Sequence, residues 1–432
     1  LSNIKILRPE GAEDFKYPIL CRLQHVLITE QGILINMFYL NRHTNQPVYG
    51  ALIDISSGSI GVAIIVSDTN KKIPSLLYSH RVTMRITERM GERDENLRRI
   101  REALFSGLLQ LSQEGLEALH VHNPKAKITK ISVTCSSPWS YTVARTVHYE
   151  DSKPFEVSKT LINDLINSAE EEIISHVRDT TLLTKEGFAV VERATVDVTV
   201  NDYPISNPLG LTGTILGLSH VAGVIPKEII ESVKEAQDKL FPNTDLRIHT
   251  FMLVMYCVMR DMFPKLHSLC IIDITSEATE FGIVENNLLA ENIFMLYGSN
   301  SFIRDIMSKT NMPASDILTR IQAYSDDKKM LDDVLSEHAT MFISNAEKEF
   351  NEILSRRMIP SDIIISVQKP FIPFFKYTIE DALKNAGQTN VRVLVIDSST
   401  MEEIEHNPDA DTYLTLGARF FHKLHGCAES TE

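Results

Sequence analysis

Two periods organise the apolar positions of the chain. Residues 51–66, ALIDISSGSIGVAIIV, place two β-branched apolar runs on either side of Ser56-Ser57-Gly58-Ser59, which predicts strand, tight turn and strand. A third apolar-rich strand is predicted over 76–86. The period then changes, as Leu97, Ile100, Leu104, Leu108 and Leu111 step by three and four and predict one long helix over 94–119. A short apolar strand over 128–137 follows and runs into Ser136-Ser137-Pro138-Trp139. Strands joined by a crossover helix predict an α/β lobe with a mixed sheet. Ligands of such sheets sit beyond strand ends, which puts the turn at 137–139 near a site. Trp139 itself reads as a packing residue.

From about 145 to 240 the pattern differs. A strand (142–149), a helix (156–176) and a strictly alternating strand over 194–200 lead to the turn-rich link 201–210. A strand over 211–221 and a helix over 227–241, striped by Ile229, Val233, Ala236 and Leu240, complete a small module inserted into the first lobe. A second lobe opens with an apolar helix over 250–262. Residues 271–284, IIDITSEATEFGIV, then repeat the first hairpin: Ile272-Asp273-Ile274-Thr275-Ser276 answers Ile53-Asp54-Ile55-Ser56-Ser57. A helix begins at Tyr297-Gly298-Ser299-Asn300-Ser301, and helices over 313–325 and 328–357 follow. A strand and loop (362–370), a helix (378–386), a strand (391–396) and a final helix (412–425), apolar nearly all round and so expected to be buried, close the chain. Residues 1–48 hold two possible strands, 19–28 and 32–40, and are read as an extension packed on the first lobe.

A carboxylate ending a buried strand is costly unless it has a partner, such as a hydrated metal ion. Small turn residues also let backbone N–H groups converge on an anion. Each corner alone equally reads as an ordinary hairpin, and Gly298-Ser299-Asn300 as a plain helix cap that also suits phosphate. Two matching aspartate hairpins in one chain point to a duplicated fold with a polyphosphate site between its halves.

Composition narrows the classes. A chain of 432 residues exceeds one ordinary core, and 43% hydrophobic with 23% charged residues is a globular balance. A formal charge of −14 argues against general affinity for nucleic acid or anionic lipid. Five cysteines (Cys21, Cys135, Cys257, Cys270, Cys427) lack CxxC spacing and read as buried thiols of a reducing cytosol. The longest apolar run, 251–259, falls short of the roughly 20 residues of a spanning helix, and no secretory signal is read. GxxxxGK[ST] and GxSxG do not occur, and the close histidine pairs His120/His122 and His422/His425 have no neighbouring ligands at zinc spacing.

Over roughly 49–425 these residues resemble the actin-like ATPase superfamily, in the branch of the bacterial division protein FtsA and the pilus protein PilM. Asp54-Ile55-Ser56-Ser57-Gly58-Ser59 looks like the first phosphate hairpin, and Ser137-Pro138-Trp139 stands at the first connecting segment. Asp273-Ile274-Thr275-Ser276-Glu277-Ala278-Thr279-Glu280 looks like the second phosphate hairpin, Gly298-Ser299 the second connecting segment, and Leu416-Gly417-Ala418 the terminal helix. The placement of the inserted module selects the branch. The resemblance implies a two-lobed α/β fold, a duplicated ribonuclease H-like unit. Residues 1–48 are then an extension, 49–145 the first lobe, 146–242 the module and 243–432 the second lobe. The second lobe includes a helical subdomain, 298–358, and a terminal helix, 412–425, returning to the first.

The same resemblance implies ATP and Mg²⁺ between the lobes, with Asp54 and Asp273 on the metal. Ser56, Ser57, Gly58, Ser59, Thr275, Ser276, Glu277, Gly298 and Ser299 would then lie around the phosphates. Lobe rotation would switch a polymerising or partner-binding surface. No residue orienting an attacking water is identified, so the chain is at most a weak ATPase. It departs from the family at Ser56 and Gly61 in the first hairpin and at Thr275-Ser276-Glu277 in the second. It departs again at Ser366-Val367-Gln368-Lys369-Pro370, where an adenosine-side Gly-Gly pair would stand. Two readings stay open. One is a cytoplasmic, nucleotide-binding scaffold of a division or pilus-type assembly. The other is a non-catalytic adaptor gripping a peptide of a membrane-anchored partner through the module. Residues 426–432 are acidic and show no lipid anchor, so a membrane link is expected to run through that partner.

Overall fold

The computed structural model describes residues 46–68, 70–87, 93–180, 187–327, 333–397, 401 and 411–425, together with 4–5, 26–28 and 34–36. Its frame is two five-stranded sheets built in the same order. In the first, the central strand Val48–Ile55 pairs antiparallel with Ser59–Ser67, which pairs antiparallel with Ser75–Thr83. On its other side Lys130–Cys135 and then Asp245–Thr250 run parallel. In the second, Leu269–Ile274 is central. Thr279–Glu285 and Leu288–Met295 lie antiparallel on one side, and Asp362–Val367 and Arg392–Val395 parallel on the other. Numbered along the chain within each lobe, both sheets read 3-2-1-4-5. The registers coincide too: Asp54 stands opposite Gly61 and Thr134, Asp273 opposite Glu280 and Ser366. The echo between the two aspartate hairpins is therefore a true duplication of topology.

Why these stretches are unbroken apolar runs follows from their burial. Ser59–Ser67 is buried at every residue because helices cover both faces of its sheet, so no solvent face needs polar side chains. One cover is Arg93–Gln110, which continues through a wide turn at Leu111–Gly115 into Leu116–His122. The other is the terminal helix, Thr412–His425. Leu414, Ala418 and Phe421 face Leu52, Ala63 and Ile65 of the first sheet. Tyr413, Leu416 and Phe420 face the helix Phe251–Met262, itself buried from Phe251 to Met259. At about 2 kcal/mol per large apolar side chain buried, this two-sided helix contributes a substantial part of the contact between the halves.

In the second lobe the helices Ser299–Thr310, Ala314–Asp327, Asp333–Leu354 and Ile372–Asn385 share one core with the sheet, centred on Phe302, Phe342, Phe374 and Phe375. The last of these begins six residues before the predicted 378, with proline in its first turn, where the missing N–H has no intrahelical partner to lose. Among the described residues no helix is long and apolar enough to cross a membrane. Cys135, Cys257 and Cys270 are buried free thiols; Cys21 and Cys427 lie outside the described residues.

The inserted module is an antiparallel sheet of Tyr141–Glu156, Thr212–Pro226 and Phe188–Val200, with the helix Lys159–Thr180 packed on it through Leu165, Ala169 and Ile173. Three expectations need correction here. The module sheet starts at Tyr141, before the predicted 146. The helix Lys227–Leu240, assigned to the module, belongs to the first lobe: Ile229, Val233 and Ala236 join Ile100 and Leu104 in its core, and Arg101 Nε donates to Ser232 Oγ at 3.0 Å. Asp245–Thr250, assigned to the second lobe, is the fifth strand of the first sheet. The N-terminal extension also differs from expectation. Ile4–Lys5 pairs with Tyr149 and His148, and Val26–Ile28 pairs with Leu34–Asn36 and Thr195, so these strands extend the module sheet at both edges. Unpaired strand edges invite such additions.

Candidate functional site

The two hairpin turns are built alike. Ser56 N donates to Ser59 O at 3.0 Å and Thr275 N to Ala278 O at 2.9 Å, each closing a four-residue corner. The corners meet tip to tip. Ser57 Oγ donates to Thr275 Oγ1 at 2.9 Å, and Glu277 N donates to Ser57 Oγ at 2.9 Å. Thr275 Oγ1 in turn lies 3.0 Å from the Ser137 carbonyl. Gly58 is the position that permits this approach: a Cβ there would stand 2.2 Å from Ser276 Oγ and 2.5 Å from Ser276 Cβ. A fourth link comes from the loop after Asp362–Val367, where Gln368 Nε2 reaches Ser59 Oγ at 3.4 Å.

Gly298 and Ser299 sit where sequence places them, at the start of Ser299–Thr310, but this helix terminus faces the second hairpin. Ser299 N donates to Thr275 O at 3.0 Å and Asn300 N to Ser276 O at 2.8 Å. A Cβ on Gly298 would lie 2.3 Å from Thr275 O, so only glycine lets the helix seat there. Glu277, at the hairpin tip, is held by Arg304, whose Nη1 donates to Oε1 at 3.0 Å.

Asp54 ends its strand 1% exposed. Thr134 Oγ1 donates to Oδ1 at 3.1 Å and Arg81 Nη2 to Oδ2 at 2.8 Å. Burial raises the Asp54 carboxyl above the ordinary aspartate value, Arg81 opposes the rise and Asp411 adds to it. Arg81 also donates from Nη1 to Ser59 Oγ at 2.8 Å and from Nε to Asp411 Oδ2 at 2.7 Å. Burial works against this guanidinium, but Asp411 and Asp54 outweigh it and hold its pKa above the usual arginine range. Asp411 in turn caps the terminal helix, accepting from Leu414 N at 2.8 Å.

Asp273 is different. It is 0% exposed, and neither carboxylate oxygen has a hydrogen-bond partner among the described residues. Burial first, then Glu280 and Asp54, lift its pKa well above the ordinary value. The hydroxyls of Tyr413 and Ser366 lie beside it and oppose the rise without bonding to it at hydrogen-bond geometry. Glu280 is buried too, held by Asn292 Nδ2 at 2.6 Å and Ser137 Oγ at 2.9 Å, and burial pushes its pKa up to about 7 against those two bonds.

All eleven residues predicted from sequence thus converge on one place between the lobes, and the polar groups of the two hairpin tips engage one another, while the Asp273 carboxylate engages none of them. A hydrated magnesium ion needs carboxylates facing open, wet space; Asp54 faces Arg81, and Asp273 faces protein. A polyphosphate needs free amides with open space before them, yet the N–H groups of Ser56, Thr275, Glu277, Ser299 and Asn300 are bonded within the protein, and the tips that carry those of Ser57, Gly58 and Ser276 are in contact with each other. Among the described residues no three His, Cys, Asp or Glu side chains are grouped to hold a metal ion. As arranged here, the residues do not fit a magnesium triphosphate between the hairpins. Sequence reasoning missed Arg81, Asp411 and Thr134, and quoted Glu280 and Gln368 within their motifs without giving either a role. Counting the row opposite Asp54 finds Gly61 and Thr134, but a bulge between Ile64 and Ile65 sets which residue of the next strand follows.

Family models and curated protein sequences gave no match to the chain. Solved structures did. The PilM–PilN type IV pilus biogenesis complex matches 88% of this chain and 100% of the other at 10% identity and a TM-score of 0.53. The ethanolamine utilization protein EutJ from Carboxydothermus hydrogenoformans matches 89% of this chain and 94% of the other at 9% identity and a TM-score of 0.43. A Bacteroides thetaiotaomicron protein with an actin-like ATPase fold matches 86% and 95% at 9% identity and a TM-score of 0.40. With its two 3-2-1-4-5 sheets, matched aspartate hairpins and module inserted in the first lobe, the chain has the actin-like ATPase fold in a PilM-like form.

Proposed function

We propose that the chain is a pilus-assembly-type scaffold that works as a non-catalytic adaptor, engaging a cytosolic peptide of a membrane-anchored partner through its inserted module. The observation that carries this reading is the sealed cleft. Ser57, Thr275 and Glu277 link the hairpins directly, Gln368 reaches the first hairpin from the loop after Asp362–Val367, and Arg81 pairs with Asp54, so the lobes hold together through protein contacts. A protein whose cleft is filled by its own side chains acts through its outer surface. The module is the part of that surface that sets this form of the fold apart, and Tyr203, Leu209 and Leu211 stand exposed on its turn-rich link. That the matched PilM was solved as a complex with PilN supports a protein partner.

The second reading, a scaffold at the cytoplasmic face of the membrane switched by Mg-ATP, is favoured by the retention of Asp54 and Asp273 in one register. It requires the lobes to part far enough to break the Ser57–Thr275 and Arg81–Asp54 contacts. Placing a photo-crosslinking residue at position 203 or, as a control, at the exposed Leu109 of the first lobe tests the adaptor reading in cells. A discrete crosslinked partner from 203 and none from 109 is expected. Equal crosslinking from both positions, or none from 203, removes the module from the account.

A further inference from the structure

We propose that Arg81 is a resident cation that stands in for a divalent ion beside Asp54, so that closure of the two lobes in this chain needs neither metal nor nucleotide. The proposal rests on the sealed-cleft reading and adds the residue responsible for it.

Geometry carries the assignment. Asp54, Gly61 and Arg81 form one row across three adjacent strands, so their side-chain directions share one face of the sheet. Gly61 contributes no side chain to that row, and a Cβ there would lie 2.6 Å from Arg81 Nη2. The gap it leaves is the path by which the guanidinium reaches Asp54 Oδ2 at 2.8 Å. From there the planar fork serves four acceptors and neighbours at once. It bonds Ser59 Oγ in the first hairpin and Asp411 at the cap of the terminal helix, and it lies 5.5 Å from the ring centroid of Tyr413. Tyr413 completes the connection to the other lobe, its hydroxyl donating to Ile274 O at 3.2 Å, next to Asp273. One cation therefore links the first hairpin, the terminal helix and, through Tyr413, the second hairpin. An ion bridging two lobes through a bound phosphate would make the same kind of connection.

The corresponding row of the second lobe sharpens the point. It reads Asp273, Glu280, Phe294, with no cation and no gap. Along these rows, among the described residues, the first hairpin has a cation to meet its aspartate and the second has none.

Thermal melting of the full chain with and without millimolar Mg²⁺, in the absence of nucleotide, tests this. The parent is expected to melt at the same temperature in both conditions. Arg81→Ala is expected to melt several degrees lower and to regain at least half of that loss when Mg²⁺ is added, since Asp54 then has a free oxygen. Arg81→Lys keeps a charge on a shorter reach and is expected to melt between the two with little response to Mg²⁺; it serves as the test if Arg81→Ala does not fold. An Arg81→Ala melt equal to the parent's, an Arg81→Ala loss that Mg²⁺ does not restore, or an Arg81→Lys melt equal to the parent's overturns the assignment of Arg81 alone. Mg²⁺-dependent ATP binding by the parent overturns the sealed cleft as well, so the two failures are told apart.

Discussion

Asp54 and Asp273 hold equivalent places in a duplicated topology, and the residues standing in line with them make them chemically different. Across the first sheet the row is Thr134, Asp54, Gly61, Arg81; across the second it is Ser366, Asp273, Glu280, Phe294. In the first row a glycine leaves room and an arginine fills it, so the buried charge is met by an opposite charge. In the second a glutamate fills the gap and an aromatic ring stands where the arginine would be, so the buried carboxyl meets no opposite charge and burial raises its pKa. Duplication copied the backbone and the register, while two substitutions per row decide what each buried carboxyl faces.

That contrast can be broken by one substitution made twice. Asp54→Asn removes one partner of a buried ion pair and is expected to cost about 4 kcal/mol at pH 8, read by urea denaturation. Asp273→Asn removes a carboxyl whose charged form burial disfavours and which no opposite charge meets, and is expected to leave stability unchanged or slightly raised. Equal losses at both positions would show that the two aspartates are equivalent after all.

Glu280, the neighbour of Asp273 in that row, has its own signature. Glu280 titrates near 7 when folded and near 4.5 when unfolded, so between those values the folded state binds more protons. Stability contributed by this group is full below pH 4.5 and falls as pH rises to 7, by on the order of 3 kcal/mol. Glu280→Gln should flatten that part of the profile, with its two hydrogen-bonding neighbours Asn292 and Ser137 intact. A parent profile that rises steadily between pH 5 and 7 would contradict the assignment.

Contact between the tips comes next in size. Gly58→Ala drives a Cβ against Ser276 and is expected to cost about 2 kcal/mol. Ser57→Ala removes the bonds to Thr275 Oγ1 and Glu277 N and is expected to cost about 1 kcal/mol. If instead the hairpins stand apart around a ligand in solution, both variants will match the parent in denaturant titrations.

Much of this was readable from residue order. The hairpins were marked by paired β-branched runs around small turn residues, and the echo of Ile53-Asp54-Ile55 in Ile272-Asp273-Ile274 reported the duplication. The terminal helix is apolar on two faces in the sequence, and the fold gives each a partner. Other features depend on long-range geometry that local patterns do not encode. Arg81 joins Asp54 through a register set by a bulge, and Asp411 arrives from the opposite end of the chain. The stripe on Lys227–Leu240 announced an amphipathic helix without saying which of two sheets it would cover. The missing glycines at Ser366-Val367-Gln368 were visible, but that Gln368 turns the space to use by reaching Ser59 was not.

Closure of the space between the hairpins by the protein's own groups can be read from calorimetric titration of the purified chain with ATP, with and without Mg²⁺. No heat of binding is expected in either condition, with the melting temperature unmoved at millimolar ATP. Magnesium-dependent binding in the micromolar range, about −8 kcal/mol, would contradict that closure and return the chain to the nucleotide-switched scaffolds.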